Sequence, residues 1–351
     1  MRRLLLLAVA VCVGCNRSDS GPVWVGHVEP PNREDEARGV RLAAEELNKD
    51  PGRQPQGRRV QVRGAPGGTP DEWGAQATRL IALNAVRMVI AADRHADAER
   101  VGLAVQSGNV LAMSPGGWPG SPIQQNLFTV GLSPSERGRL LAAAVKRSEG
   151  KRPAVLILRD PAAKAANLAA DRFAADCRAF ADVVADTTVS AEKRPGAEVV
   201  FFACPARQAV QARAGLERDT QLLFGDEDAE LPALLAEGQR ANGMTVATAF
   251  HPDAKSDRLA AFAQRYEQES KQPPTVAAVL AYDALTIWVE AARRAGGLDA
   301  KSVRDELLKR DPPFEVLTGT LTFADDHTAR RPAFVAQVQN GKLGPATRHD
   351  P

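Results

Sequence analysis

The sequence predicts an α/β protein of two lobes, each a mostly parallel sheet wrapped by helices, with a ligand cleft between them. Three observations predict it. The chain has 351 residues, 44% apolar and 25% charged, a soluble composition at a length too great for one small core. From residue 22 onward, β-branched apolar runs alternate with stretches of helical period, the pattern of βα units on a parallel sheet. The alternation falls into two successive blocks, one before about Gly131 and one after, followed by a tail of different style.

In the first block the strand-like runs are residues 23–28, 59–63, 86–91, 110–113 and 127–130; in the second they are 153–158, 182–189, 198–203, 221–224 and 245–250. Between them, Val40, Ala43, Ala44 and Leu47 recur at helical spacing, as do Trp73, Ala77, Leu80 and Ile81, and later Leu259, Phe262, Ala263 and Tyr266. Each set is one buried helix face. Thr69-Pro70-Asp71-Glu72 and Ser133-Pro134-Ser135-Glu136 each place a capping hydroxyl, a first-turn proline and a third-position carboxylate at a helix start. Residues 190–197 are too few for the crossover helix that a parallel neighbour needs, so one helix is missing or shrunken there. The tail holds a long helix (Leu280, Ala284, Ile287, Trp288, Ala291), a shorter one from Asp299, and strands at 318–323 and 333–338 joined by a polar turn.

Residues 1–14 read as an export signal: Arg2 and Arg3, an apolar run over 4–13, then Gly14 before Cys15. The run is too short to span a bilayer, which takes about 20 residues. The ending Val13-Gly14-Cys15 resembles a bacterial lipoprotein box, which implies lipidation of Cys15 and a polar tether over 15–21; the alternative is a plain signal cut near Ser20. Without Arg2 and Arg3, basic and acidic residues balance at 43 each. A neutral chain with 5% aromatics and no basic run has neither field nor stacking platform for nucleic acid. If Cys15 is lipidated, Cys12 leaves with the leader and only Cys177 and Cys204 remain to pair. They are expected at opposite edges of an α/β layer, too far apart for a bridge, and read as buried small hydrophobes.

The chain carries no HExxH, paired CxxC, phosphate loop, GxSxG or GxGxxG, so neither an enzyme nor a cofactor is expected. His27, His95, His251, His327 and His349 lack metal-ligand spacing and read as loop or surface histidines. Asp325 and Asp326 read as turn formers. Ligands in open parallel sheets sit beyond the carboxyl ends of the strands. The loops there are His27 to Arg33, Asp93 to His95, Ser114 to Gly120, Cys204-Pro205 and Gly225 to Asp228. In the third, glycines expose amides beside the flat wall of Trp118, or else form a rigid surface loop. Glu227 either meets an ammonium group or starts the next helix favourably.

The order of segments resembles the type I periplasmic solute-binding proteins, specifically the leucine-binding-like branched-chain amino acid and amide group serving ABC importers. The resemblance rests on Gly39 to Asn48, Val86 to Ala91, Met113-Ser114-Pro115, Phe128-Thr129-Val130, Tyr282-Asp283-Ala284, Leu317 to Phe323 and Val338 to Lys342. It implies two Rossmann-like lobes, 22–131 with 251–314 and 132–250 with 315–351. It also implies a small-molecule solute, an ABC permease as partner, a monomer, and a periplasmic or cell-surface site on the membrane. The family holds amino acids with hydroxyls and amides of two lobe-one loops, aromatics, and a lobe-two carboxylate. Here Asp93-Arg94-His95 and Gly117-Trp118 stand where the hydroxyl clamp belongs, Pro205 replaces an aromatic, and Ala163-Lys164 replaces Tyr-Gly. Only Glu227 matches a family ligand residue by type.

The expected site is therefore Arg94, His95, Gly117 and Trp118 on lobe one and Glu227 on lobe two, with His27 and Asn32 at the rim. Arg, His and Trp together favour an anion or planar zwitterion over leucine. The competing reading is an accessory or sensory lipoprotein that keeps the fold and has lost amino acid binding.

Overall fold

Two sheets organise the chain, and the order in which their strands are laid down sets where a ligand can sit. We describe a computed structural model, which covers residues 21–31, 33–91, 94–117, 124–146, 151–191 and 195–351. The first block runs β1 (Val23–Glu29), α1 (Glu34–Lys49), β2 (Val60–Pro66), α2 (Pro70–Asn84), β3 (Met88–Ile90), α3 (His95–Ser107), β4 (Leu111–Ser114) and β5 (Leu127–Thr129). The second runs α4 (Pro134–Ala143), β6 (Ala154–Arg159), α5 (Lys164–Cys177), β7 (Asp182–Thr188), β8 (Val199–Ala203), α6 (Ala206–Arg213), β9 (Gln221–Phe224), α7 (Leu231–Ala236) and β10 (Met244–Thr248). The tail adds α8 (Asp257–Ser270), α9 (Val276–Ala295), α10 (Ala300–Leu307), β11 (Phe314–Val316), β12 (Gly319–Phe323), β13 (Ala329–Arg330), β14 (Ala333–Gln339) and β15 (Lys342–His349).

The first sheet is all parallel, in the order β2-β1-β3-β4-β5. The second is β15-β14-β10-β9-β8-β6-β7, parallel except that β14 runs antiparallel to both of its neighbours, β10 and β15. Strand order reverses between β1 and β3 in one sheet and between β6 and β8 in the other, so each sheet has a switch point with a crevice at its carboxyl edge.

The caps form as their residues dictate. Thr69 Oγ1 accepts the Glu72 amide while Glu72 returns a carboxylate to the Thr69 amide, and Ser133 Oγ accepts the Glu136 amide. After Phe250 the chain returns to the first sheet, where α9, apolar on nearly all faces, lies against α1. Gly39 makes that approach possible, because a Cβ there would stand 2.2 Å from the Ala278 carbonyl oxygen. Between β7 and β8 no helix occurs among the described residues, as the short spacing predicts. A hollow of about 540 Å³ lies beside α6 instead, lined by Arg159, Thr188, Val189, Gln208 and Gln211.

The tail corrects one expectation. Strands 318–323 and 333–338 are not partners: β12 pairs with β11 and β13, while β14 pairs with β10 and with β15. Asp325 and Asp326 do form a turn, with Asp326 Oδ1 accepting from the Thr328 amide at 3.1 Å. Where the segments crossing between the sheets converge, a fully buried ion pair holds them. Arg331 Nη2 lies 2.9 Å from Asp283 Oδ2, Arg331 Nη1 donates to the Val130 carbonyl, and the Leu317 amide donates to Asp283 Oδ1. Cys177 and Cys204 are both buried and form no disulfide. No described helix is long and apolar enough to cross a membrane.

Candidate functional site

The carboxyl edges of the two sheets face each other, and the residues that end β1 and β3 on one side and β9 on the other define the candidate site. β1 delivers His27 to its edge, but the ring is only 1% exposed. Its Nε2 sits 3.1 Å from Oε1 of Glu36, a fully buried carboxylate in the first turn of α1, and its Nδ1 sits 3.8 Å from Glu29. An acid in that turn is favoured by the helix's positive end. His27 therefore lies beneath the surface of the crevice, supporting the start of α1.

Arg94 precedes α3 and reaches across to the second lobe, where Nη2 lies 3.2 Å from Glu230 Oε1. The other Glu230 oxygen accepts the Ala206 amide at the start of α6. Gly117 is buried, and its α-carbon faces the crossing segment so closely that a Cβ would meet the Leu132 carbonyl oxygen at 1.9 Å. Its neighbour Gly116 accepts the Gly131 amide. Glycine is thus required at 117 by close approach of the first crossover. His95 begins α3. Cys15, Asn32, Trp118 and the side chain of His95 lie outside the described residues.

On the second lobe the chain leaves β9 as Gly225-Asp226-Glu227 and enters a 3-10 turn, Asp228–Glu230. Alternation buries Asp226 and Asp228, each 6% exposed, and leaves Glu227 half-buried. Asp226 Oδ1 accepts the Glu227 amide. Asp228 faces Arg137 Nη2 at 3.1 Å, and that arginine, from the first turns of α4, also donates to the Ala247 carbonyl. Burial pushes the Asp226 carboxyl up to about 6, with Glu230 adding to the rise and the Glu227 amide, Arg137 and Arg94 opposing it.

The sequence reading brought Glu227 and Arg94 to the same crevice but missed Asp226, Asp228, Glu230 and Arg137. The run Asp226-Glu227-Asp228 at a strand end carried a usable signal, since alternate residues there point to opposite sides. Both guanidiniums at this edge face carboxylates, Arg94 that of Glu230 and Arg137 that of Asp228. Taken together, the described wall is acidic. No three described His, Cys, Asp or Glu residues are grouped to hold a metal ion.

A two-lobed α/β molecule with facing carboxyl edges is the architecture of a binding protein that closes on its ligand. The chain belongs to the periplasmic binding protein family, whose model matches residues 26–342. A comparison with curated proteins gives no match. Among solved structures, it is similar to the branched-chain amino acid transporter substrate-binding protein LivJ from Streptococcus pneumoniae, in complex with isoleucine, at 21% identity and a TM-score of 0.77. That alignment covers 94% of this chain and 100% of LivJ. It is also similar to the closed leucine-, isoleucine-, valine-, threonine- and alanine-binding protein of Brucella ovis (17% identity, TM-score 0.76, 94% of each chain). A third is a Rhodopseudomonas palustris transporter solute-binding protein with 3,4-dihydroxybenzoic acid (18%, 0.72, 94% and 97%). At these identities the likeness establishes the fold, the two-lobed type I architecture expected from the sequence.

Proposed function

We propose that this chain is an extracytoplasmic solute-binding protein, anchored through a lipid on Cys15, that closes its lobes on a small amino acid-like solute and presents it to an ABC permease. The observation that carries the solute class is the acidic second wall. Asp226, Glu227, Asp228 and Glu230 line the exit of β9, and Arg94 and Arg137 are each paired to one of them. A ligand gains most there by bringing an ammonium group. Relatives of the same fold hold isoleucine in one case and 3,4-dihydroxybenzoic acid in another, so the architecture accommodates amino acids and aromatic acids alike, and this wall favours the former. His27 and Gly117 then shape lobe one and Glu227 faces the ligand from lobe two, with Asn32, His95 and Trp118 proposed as further ligand contacts.

Closure follows from contacts made to both lobes at once, and its extent is set by the ligand's differential affinity for the closed state. Thermal-shift screening against amino acids, amines and small carboxylates tests the reading, since a tight ligand raises the melting temperature by mass action. Amines or amino acids are expected to shift it and carboxylates lacking nitrogen are not. Labelling with a radioactive fatty acid tests the anchor: the wild type takes the label and Cys15→Ser does not.

One observation favours a second reading. The Arg94–Glu230 contact joins the lobes directly through protein side chains, as suits an accessory or sensory lipoprotein that retains the fold. A flat thermal-shift profile across the whole panel supports that alternative.

A further inference from the structure

We infer that the amino edge of the first sheet, opposite the cleft, is a docking surface for an anionic phospholipid bilayer. Parallel strands place their starts side by side. Gly21 and Pro22 lead into β1, Arg58 and Arg59 lead into β2, and Arg87 leads into β3. Arg87 donates its amide to the Trp24 carbonyl, and the Val23 amide donates to the Arg59 carbonyl, so the three segments are stitched into one edge. The helices of this sheet run antiparallel to its strands, so their carboxyl ends lie at the same edge and add negative dipole ends that cations offset. There α1 contributes Lys49 and α2 contributes Arg79 and Leu83, one turn apart.

The chemistry of this edge suits lipid headgroups. Arg59, Arg79 and Arg87 are exposed and have no ion-pair partner among the described residues. Arg63 lies over the Trp24 ring at 4.4 Å, giving a cation on an aromatic face. Leu83, at 73% exposure, is the most exposed large hydrophobic of the described chain. Asp50 is the acid at the end of α1, and it accepts the Gly52 amide. Glu46 is held by Arg53 and Arg265. Arginines around one apolar side chain match a surface of anionic headgroups over acyl chains.

The chain's own geometry points the same way. Arg58 donates to the Gly21 and Pro22 carbonyls, which fixes the exit of the N-terminal segment on this edge. Cys15 stands six positions before Gly21, so a fully extended link reaches roughly 20 Å. With the lipid anchor proposed above, the arginine edge is held within reach of the bilayer. The docking itself is electrostatic and does not depend on that anchor.

The test uses the full chain with Cys15→Ser, so that lipidation and docking are separated. Sedimentation is measured with vesicles of phosphatidylglycerol diluted in phosphatidylcholine, and with phosphatidylcholine alone. The expected result is binding to the anionic vesicles only, released by salt, and weakened at least about tenfold in the Arg59→Gln, Arg79→Gln, Arg87→Gln triple variant. Arg58 is left intact to preserve the fold, and an unchanged melting temperature verifies it. Lys146→Gln, Lys151→Gln and Arg218→Gln together, in the second lobe, are the charge-matched control and should bind as the parent does. No binding to anionic vesicles, equal binding to neutral ones, or undiminished binding by the triple variant overturns the proposal. Failure of fatty-acid labelling would remove the anchor and leave this result standing.

Discussion

The two walls of the cleft are built by the same rule and charged in different ways. On the first, strand ends deliver His27 and Gly117 to positions that are buried by neighbouring backbone and by Glu36, and only Arg94 reaches outward. On the second, β9 runs out into a turn of acids held just below the surface, with Arg137 beneath them. The lesson is that a parallel sheet guarantees where a site lies but not which wall carries its charge. Lobe one supplies shape and the crossover, whereas lobe two supplies the electrostatics.

That division can be broken at several points. The strongest blow falls on the joint between the walls, where Asp283→Ala leaves the Arg331 charge buried without its partner. Chemical denaturation should show a loss of about 3–5 kcal/mol, and a loss under about 1 kcal/mol would mean the pair is not what holds the crossing segments. Gly117→Ala should come next, at about 1–3 kcal/mol, because its Cβ has backbone rather than a flexible side chain in its way. If Gly117 were instead an open amide donor, stability would hardly change.

A smaller effect separates the walls by pH. The Asp226 carboxyl is pushed up by burial to about 6 in the folded chain from its ordinary value of 3.8. Its burial is therefore best tolerated below the unfolded value, and stability from this group is lost as pH rises through about 6. Asp226→Asn should accordingly stabilise the protein near neutrality by about 1–2 kcal/mol and flatten the slope between those two values. Binding of an ammonium-bearing solute should run the other way, weakening as pH falls through 6. A variant with an unaltered pH slope would show that Asp226 is not the titrating group. Smallest of all in stability is Arg94→Gln. Arg94 is 56% exposed, so the change should stay within about 0.5 kcal/mol, yet solution scattering should show a wider separation of the lobes. An unchanged scattering profile would mean that the Arg94–Glu230 contact does not govern closure.

Much of this architecture was legible in the sequence because parallel strands are buried on both faces and read as continuous apolar runs. The helix starts were legible too, since Thr69 and Ser133 carry their own hydrogen bonds. β15 was not: Lys342–His349 is a charged edge strand interrupted by Gly344 and Pro345, and it offers no apolar alternation to read. Nor was the fate of His27, because in a strand buried on both sides no periodicity tells a rim residue from one sealed by the next helix. At the second wall the sequence pointed to the turn after β9 and chose Glu227, while the buried positions of that turn are Asp226 and Asp228. Arg137 sits some ninety positions away in the chain and joins them only through the tertiary fold.

The central claim is that the second wall recognises a solute's ammonium group. Isothermal titration calorimetry with the common amino acids, putrescine and benzoate, on the wild type and on Glu227→Ala and Trp118→Ala, addresses it directly. The account predicts that a nitrogen cation is required and that truncating a true anchor weakens binding by about 2 kcal/mol or more. Tight binding of benzoate with an affinity unchanged in both variants would contradict it.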